Sequence, residues 1–300
     1  MQPLVQVQHL HKRFGDFTAV NDLSFSVYAG DIYGFLGQNG AGKSTTIRML
    51  LTLVAPTHGS IEMFGYQLPA HRNEILRKIG AIIERPDAYK YLSAYDNLQI
   101  FARLSGIKPT PKMLMEQLEK VGLAARAKSM VKTFSQGMKQ RLGIAIALIH
   151  DPQLIILDEP TNGLDPQGIA DMRHLIIALR KEHKKTVIVS SHLLNEIEQV
   201  ATRMIIIDKG KKVTEGSTQE LFDPANTVVE LQTGDEHAVE KIQASAWSHC
   251  MTATEDGLLF QIRADDVPQL AKDIVALDIP IEQFSKRHSL ETLFLQLTGH

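Results

Sequence analysis

The chain has one cysteine, Cys250, in 300 residues. No internal disulfide framework is possible, and the composition fits a reducing compartment. Long apolar runs are also missing. Segments such as IAIALI (144–149) fall far short of the ~18 continuous apolar residues of a spanning helix. The first fourteen residues, MQPLVQVQHLHKRF, contain no apolar stretch of the secretory kind. If the protein works at a membrane, another chain is expected to do the spanning. Strong charge of either sign is absent too, the formal net charge being -2. That balance argues against a large nucleic-acid footprint. Apolar content of 44% and charged content of 22% are those of an ordinary globular protein, and the length suggests two domains.

Short β-branched and aliphatic segments fill the first two thirds: VQVQHL, LSFSV, DIYGFLG, SIEMFGY, IGAIIE, LIILD, TVIVSS and MIIID. Helical patterns at 43–53, 71–78, 166–182 and 193–201 follow several of them. Strands alternating with helices predict an α/β layer around a largely parallel sheet. The first two segments have no helix between them, which predicts an antiparallel β portion at the N-terminus. Residues 93–150 show no convincing strand and read as a helical insertion, with its strongest helix at 137–149. Domain boundaries are set at 1–223 and 224–300. The second domain reads strand, helix, strand, strand, helix, strand, which is the order of a split βαβ or ferredoxin-like α+β unit. A last helix at 289–297 is expected, with Ser289 as its N-cap.

GQNGAGKST (37–45) follows a strand and opens a helix, matching G-x-x-x-x-G-K-[ST]. Gly37, Gly40 and Gly42 let the backbone, with Asn39 between them, curl its N–H groups toward phosphates at a helix N-terminus. Lys43 is expected to reach the β- and γ-phosphates of ATP. Ser44, beside Thr45, is expected to ligate Mg²⁺. LIILDEP (154–160) is an apolar strand ending in Asp158 and Glu159. Beside a phosphate loop, Asp158 suits Mg²⁺ and Glu159 suits the attacking water, although two acids there also suit helix capping. Ser135 in TFSQGMKQR is an N-cap, and the same geometry makes an anion site with Gly137. His192 ends the strand TVIVSS.

Taken together, the phosphate loop, SQGMKQR, ILDEP, NGLDP (162–166) and SSH (190–192) resemble the ATP-binding cassette (ABC) family across about residues 4–220. The resemblance implies a RecA-like core and two cassettes facing head to tail around two ATP molecules. Each ATP then touches one chain's phosphate loop and the other chain's Ser135 and Gly137. It implies Glu159 as base, His192 as γ-phosphate switch, Asp165 as cross-dimer communicator and Phe14 as the aromatic on adenine, a core Phe being the alternative. It also implies an integral membrane permease as partner, no nucleic acid, and a cytoplasmic position on the inner face of the membrane. FSQGM in place of the commoner LSGGQ resembles the branch serving drug, bacitracin and lantibiotic export. A soluble cassette acting on ribosome or nucleic acid and a phosphate-loop kinase are the competing readings. The first lacks its usual second cassette or basic linker, and the DEP carboxylate pair and signature segment argue against the second, which would need an acceptor site.

Glu84 ends IGAIIE where the family carries a glutamine that reaches Mg²⁺. It is expected to act as a third metal residue beside Ser44 and Asp158. Tyr89, Tyr91 and Tyr95 suit permease docking or, equally, a core.

Overall fold

The computed structural model describes residues 2–84, 86–221, 227–235, 237–254 and 257–288. The chain divides into two compact units, Met1–Gly216 and Ser217–His300. The junction read at 223/224 and the helix read at 289–297 both lie outside the described residues.

In the first unit a long β1 (Val5–Phe14) and β2 (Phe17–Val27) pair antiparallel. They join β4 (His58–Met63) and β5 (Tyr66–Gln67) in a sheet ordered β2-β1-β4-β5. This is the antiparallel portion expected at the N-terminus. The second sheet is ordered β10-β9-β3-β8-β7-β6. Within it β3 (Ile32–Leu36) pairs in parallel with β8 (Thr186–Ser191) and β9 (Arg203–Asp208). Next to β8, β7 (Leu154–Leu157) and β6 (Ile79–Ile82) continue the parallel pairing. Every residue of β3, β7 and β8 is buried, which explains their unbroken aliphatic character. β10 (Lys211–Ser217) went unread in the sequence because KKVTEGS carries Lys and Glu, as edge strands do.

Two helices join the strands of this first half: α1 (Lys43–Leu50) leaves β3 through the phosphate loop, and α2 (Arg72–Leu76) precedes β6. Aromatic contacts, one stacked and one edge-on, tie the two sheets where the phosphate loop begins. Phe25 lies 5.8 Å from Tyr33 and 5.2 Å from Phe35, between ring centroids. The Tyr33 hydroxyl is fully buried and donates to Glu215 at 2.8 Å, so its removal from water carries no unpaired polar group. Burial, with the Glu215 charge next in effect, holds the Tyr33 pKa well above the usual tyrosine range.

The insertion is helical. α3 (Ala94–Leu104) opens with a capping box made by Ser93 and Asp96. Thr110 caps α4 (Pro111–Lys120), with Pro111 in its first turn. Ser135 caps α5 (Gln136–Ala147). α5 lies directly on β6, because Gly80 and Gly143 carry no Cβ. An atom there would fall 2.1 Å from the Ala147 carbonyl oxygen or 2.5 Å from Pro86 Cβ, respectively. The remaining helices, α6 (Pro166–Lys181) and α7 (Leu194–Glu198), follow β7 and β8.

The second unit holds α8 (Thr218–Leu221), β11 (Thr227–Gln232), α9 (Ala238–Gln243), β12 (Met251–Thr254), β13 (Gly257–Ile262), α10 (Val267–Ala276) and β14 (Gln283–His288). Its antiparallel sheet is ordered β12-β13-β11-β14, the ferredoxin-like arrangement. Val229, Leu231, Ile242, Phe260, Leu270 and Ile274 form its core. His249 and Cys250, read as the start of a strand, belong instead to a tight turn, Ser248–Cys250.

Candidate functional site

β3 delivers the chain into the glycine-rich turn, and α1 leaves it. Gly40 and Gly42 sit at φ 82° and 105°, a region open to glycine and strained for other residues. The loop borders an open cavity of about 200 Å³. Asn39, Gly40, Gly42, Lys43, Ser44, Thr45 and Glu159 line it, bringing together the expected loop residues and the second acid of DEP. Gly37 stands at the start of the turn, its backbone against the Ile207 carbonyl.

Lys43 is 5% exposed. Its ammonium donates to the carbonyls of Gly37 at 2.6 Å and Gln38 at 3.2 Å. It also faces Glu159 Oε1 at 3.2 Å. That oxygen is buried and meets the lysine as an ion pair without hydrogen-bond alignment. The other Glu159 oxygen, Oε2, lies 2.8 Å from His192 Nδ1. Lys43, Glu159 and His192 thus form one continuous polar chain beside the cavity.

Glu159 is held there by its backbone. It adopts φ 50°, unusual for glutamate, and its N–H donates to Ser190 Oγ at 2.8 Å. Ser190, fully buried, donates in turn to Asp158 Oδ1 at 2.6 Å. One hydroxyl therefore orients both acids. The next serine does similar work for the histidine loop. Ser191 and Thr161 both donate to Glu196 Oε2, at 2.8 and 2.7 Å, and Ser191 Oγ accepts from Leu193 N. Ser190, Ser191 and Glu196 escaped the sequence reading. Two hydroxyls closing an otherwise aliphatic strand were the available signal.

Ser135, Gly137 and Asp165 do not line this cavity. Exposed Ser135 accepts from Met138 N, and exposed Asp165 caps α6 by accepting from Gly168 N. Gly137 faces Leu164 of the NGLDP loop. The three residues gather on a second, solvent-facing surface.

Two expected residues stand outside the cavity lining. Phe17, 64% exposed, borders the cavity, whereas Phe14, 49% exposed, does not. Phe14 is its register partner across the β1–β2 turn and lies beneath Lys12 Nζ at 4.7 Å. Glu84 is not gathered with Ser44 and Asp158. Its carboxylate accepts from Arg48 of α1 and its side chain is 64% exposed. Among the described residues no three acidic, His or Cys side chains form a ready metal cluster. The tyrosines divide. Tyr89 and Tyr91 are 52% and 79% exposed, which removes the core reading for both, while Tyr95 is half-buried.

A glycine-cradled lysine at a helix start, facing an oriented Asp–Glu pair and a histidine at the end of a parallel sheet, defines a phosphate-loop nucleotide hydrolase. The chain belongs to the ABC transporter family, as an ATP-binding, ATP-hydrolysing subunit. That family's profile matches residues 20–162, and a profile described as an AAA domain, putative AbiEii toxin, matches 129–198. The bacitracin transport ATP-binding protein BcrA of Bacillus licheniformis is 43% identical over 100% of this chain and 98% of its own. The lantibiotic transport ATP-binding protein SrtF of Streptococcus pyogenes is 45% identical over 71% of this chain and 90% of its own. Among solved structures, a dimeric post-hydrolysis ATP-binding cassette bound to ADP and phosphate superposes with TM-score 0.64. It is 24% identical and covers 71% of this chain and 98% of that one. No helix among the described residues is long and apolar enough to cross a membrane.

Proposed function

We propose that this subunit powers an exporter of peptide antibiotics or similar amphipathic compounds, working as a homodimer on a separate membrane permease at the inner face of the cell membrane. The Lys43–Glu159–His192 chain at the phosphate-loop cavity carries the hydrolytic part of the reading. The full-length likeness to a bacitracin transport subunit supports the substrate class. Ser44 and Asp158 offer hard oxygen donors of the kind Mg²⁺ prefers, and the buried, Ser190-fixed carboxylate of Asp158 fits that role. Bound Mg²⁺ neutralises charge on the transferred phosphate.

Lys43 moves from Glu159 to the phosphates, leaving Glu159 to take the proton of the attacking water. His192, bonded to Glu159, holds that carboxylate and faces the γ-phosphate. General-base help of this kind accounts for about 10²–10⁴-fold in rate. Ser135 and Gly137 lie away from their own chain's cavity, as a site completed by the second copy requires. Exposed Tyr89 and Tyr91 suit the permease contact, since tyrosine is enriched at interfaces.

Glu159→Gln tests the reading. The variant is expected to bind MgATP, hydrolyse it at least ~100-fold more slowly and elute as a dimer in gel filtration. Undiminished turnover removes Glu159 as base. Coexpression with a permease is expected to move the chain to the membrane fraction and lower bacitracin accumulation in vesicles. Tight ribosome or nucleic-acid association instead overturns the transport assignment.

A further inference from the structure

Arg48 stands four residues after Ser44 in α1, on the same helical face and one turn further from the phosphate loop. Its guanidinium donates to Glu84, which follows β6 in a left-handed conformation at φ 60°. The two side chains are 41% and 64% exposed. Such exposed pairs add little to folding stability. The value of this one lies in what it joins.

Two residues beyond Glu84, Pro86 packs on Gly143 of α5, where an added Cβ would lie 2.5 Å from Pro86 Cβ. The chain between β6 and α3 therefore touches α1 on one side and α5 on the other. α1 begins with Lys43 and Ser44, and α5 is capped by Ser135, about two turns before Gly143. Past Pro86 the chain is fastened to the helical insertion. Asn97, fully buried, accepts from Tyr89 N and donates to Tyr89 O. The carbonyls of Lys90 and Leu92 accept from Lys132 N and Val131 N.

We infer that Arg48 is a positioning residue. Paired with Glu84, it sets the Pro86–Leu92 segment, and through Pro86 the Gly143 stretch of α5, against the phosphate-loop helix. It also explains why a carboxylate occupies position 84, since a glutamine gives the guanidinium a neutral partner and a weaker bond. The geometry stands alone; only its catalytic consequence rests on the proposed function.

The test uses the full chain and four variants: Arg48→Lys, Arg48→Glu, Glu84→Arg and the double charge swap. Hydrogen exchange of residues 87–92 is measured without nucleotide, alongside kcat and KM for MgATP. Arg48→Glu sets two acids together and is expected to speed exchange in 87–92 about fivefold and to lower kcat with little change in KM. Arg48→Lys and the double swap are expected to restore both measures toward wild type. A swap no better than Glu84→Arg alone, or unchanged exchange in Arg48→Glu, overturns the inference. Loss of MgATP binding by the wild-type chain overturns the functional reading instead and leaves the exchange result intact.

Discussion

Ser190→Ala removes one hydroxyl and two bonds. The Oγ donates to Asp158 at 2.6 Å and accepts from Glu159 N at 2.8 Å, with Ser190 fully buried and Asp158 2% exposed. A hydrogen bond to a charged group contributes about 1.5–3 kcal/mol, and a buried N–H left alone costs about 1–3 kcal/mol. Together the loss comes to about 2.5–6 kcal/mol, a large part of a typical domain's stability. For a unit ending at Gly216 this corresponds to a fall in Tm of roughly 5–25 °C. Function suffers differently. Glu159 is held at φ 50° partly by this bond, and without it the backbone is free to relax and swing the carboxylate away from the cavity. A misplacement near 1 Å costs on the order of 10²-fold in rate. Nucleotide affinity is expected to hold or rise, because the phosphate loop is untouched and Lys43 is less tightly held by Glu159. Urea denaturation, MgATP turnover and fluorescent-nucleotide binding make the comparison, with Ser190→Cys as an intermediate of the same shape. An unchanged denaturation midpoint with normal kcat refutes the reasoning. So does a loss confined to nucleotide binding.

Phe17→Ala is expected to weaken ATP binding by roughly tenfold, in line with ~1–3 kcal/mol for a base stacked on an aromatic ring, while Phe14→Ala does far less. The reverse order in equilibrium titrations restores Phe14 as the adenine partner. Burial pushes the Cys250 thiol up from its ordinary pKa, against a smaller lowering by a backbone hydrogen bond. Alkylation of this sole cysteine is expected to need more alkaline solution than a free thiol does, and urea is expected to shift the pH–rate curve downward. Coincident curves in native and denatured protein contradict that account.

Much of the architecture was legible because local chemistry and packing agree. The capped starts of α3, α4, α5 and α6 carry Ser93, Thr110, Ser135 and Asp165, and the inner strands are aliphatic throughout. β10 was not legible, since a polar edge strand has no apolar alternation to find. The phosphate loop and the Asp158–Glu159 pair are contiguous motifs, so spacing alone exposed them. Ser190 and Arg48 act across separations of 31 and 36 residues, and Phe17 precedes the loop it meets by 21 residues or more. Their roles arise only when β7 meets β8, α1 meets the end of β6, and the β1–β2 hairpin reaches the cavity. Glu84 illustrates the same limit. Its charge was visible in the chain, but its partner was not.

The Lys43–Glu159 contact has a thermodynamic consequence. A triphosphate entering the cavity has to take the ammonium from an anion already inside the protein. Measured nucleotide affinity is therefore the balance of an exchange between two anions. On the proposed mechanism, arrival of the phosphates draws Lys43 from Glu159 and frees that carboxylate.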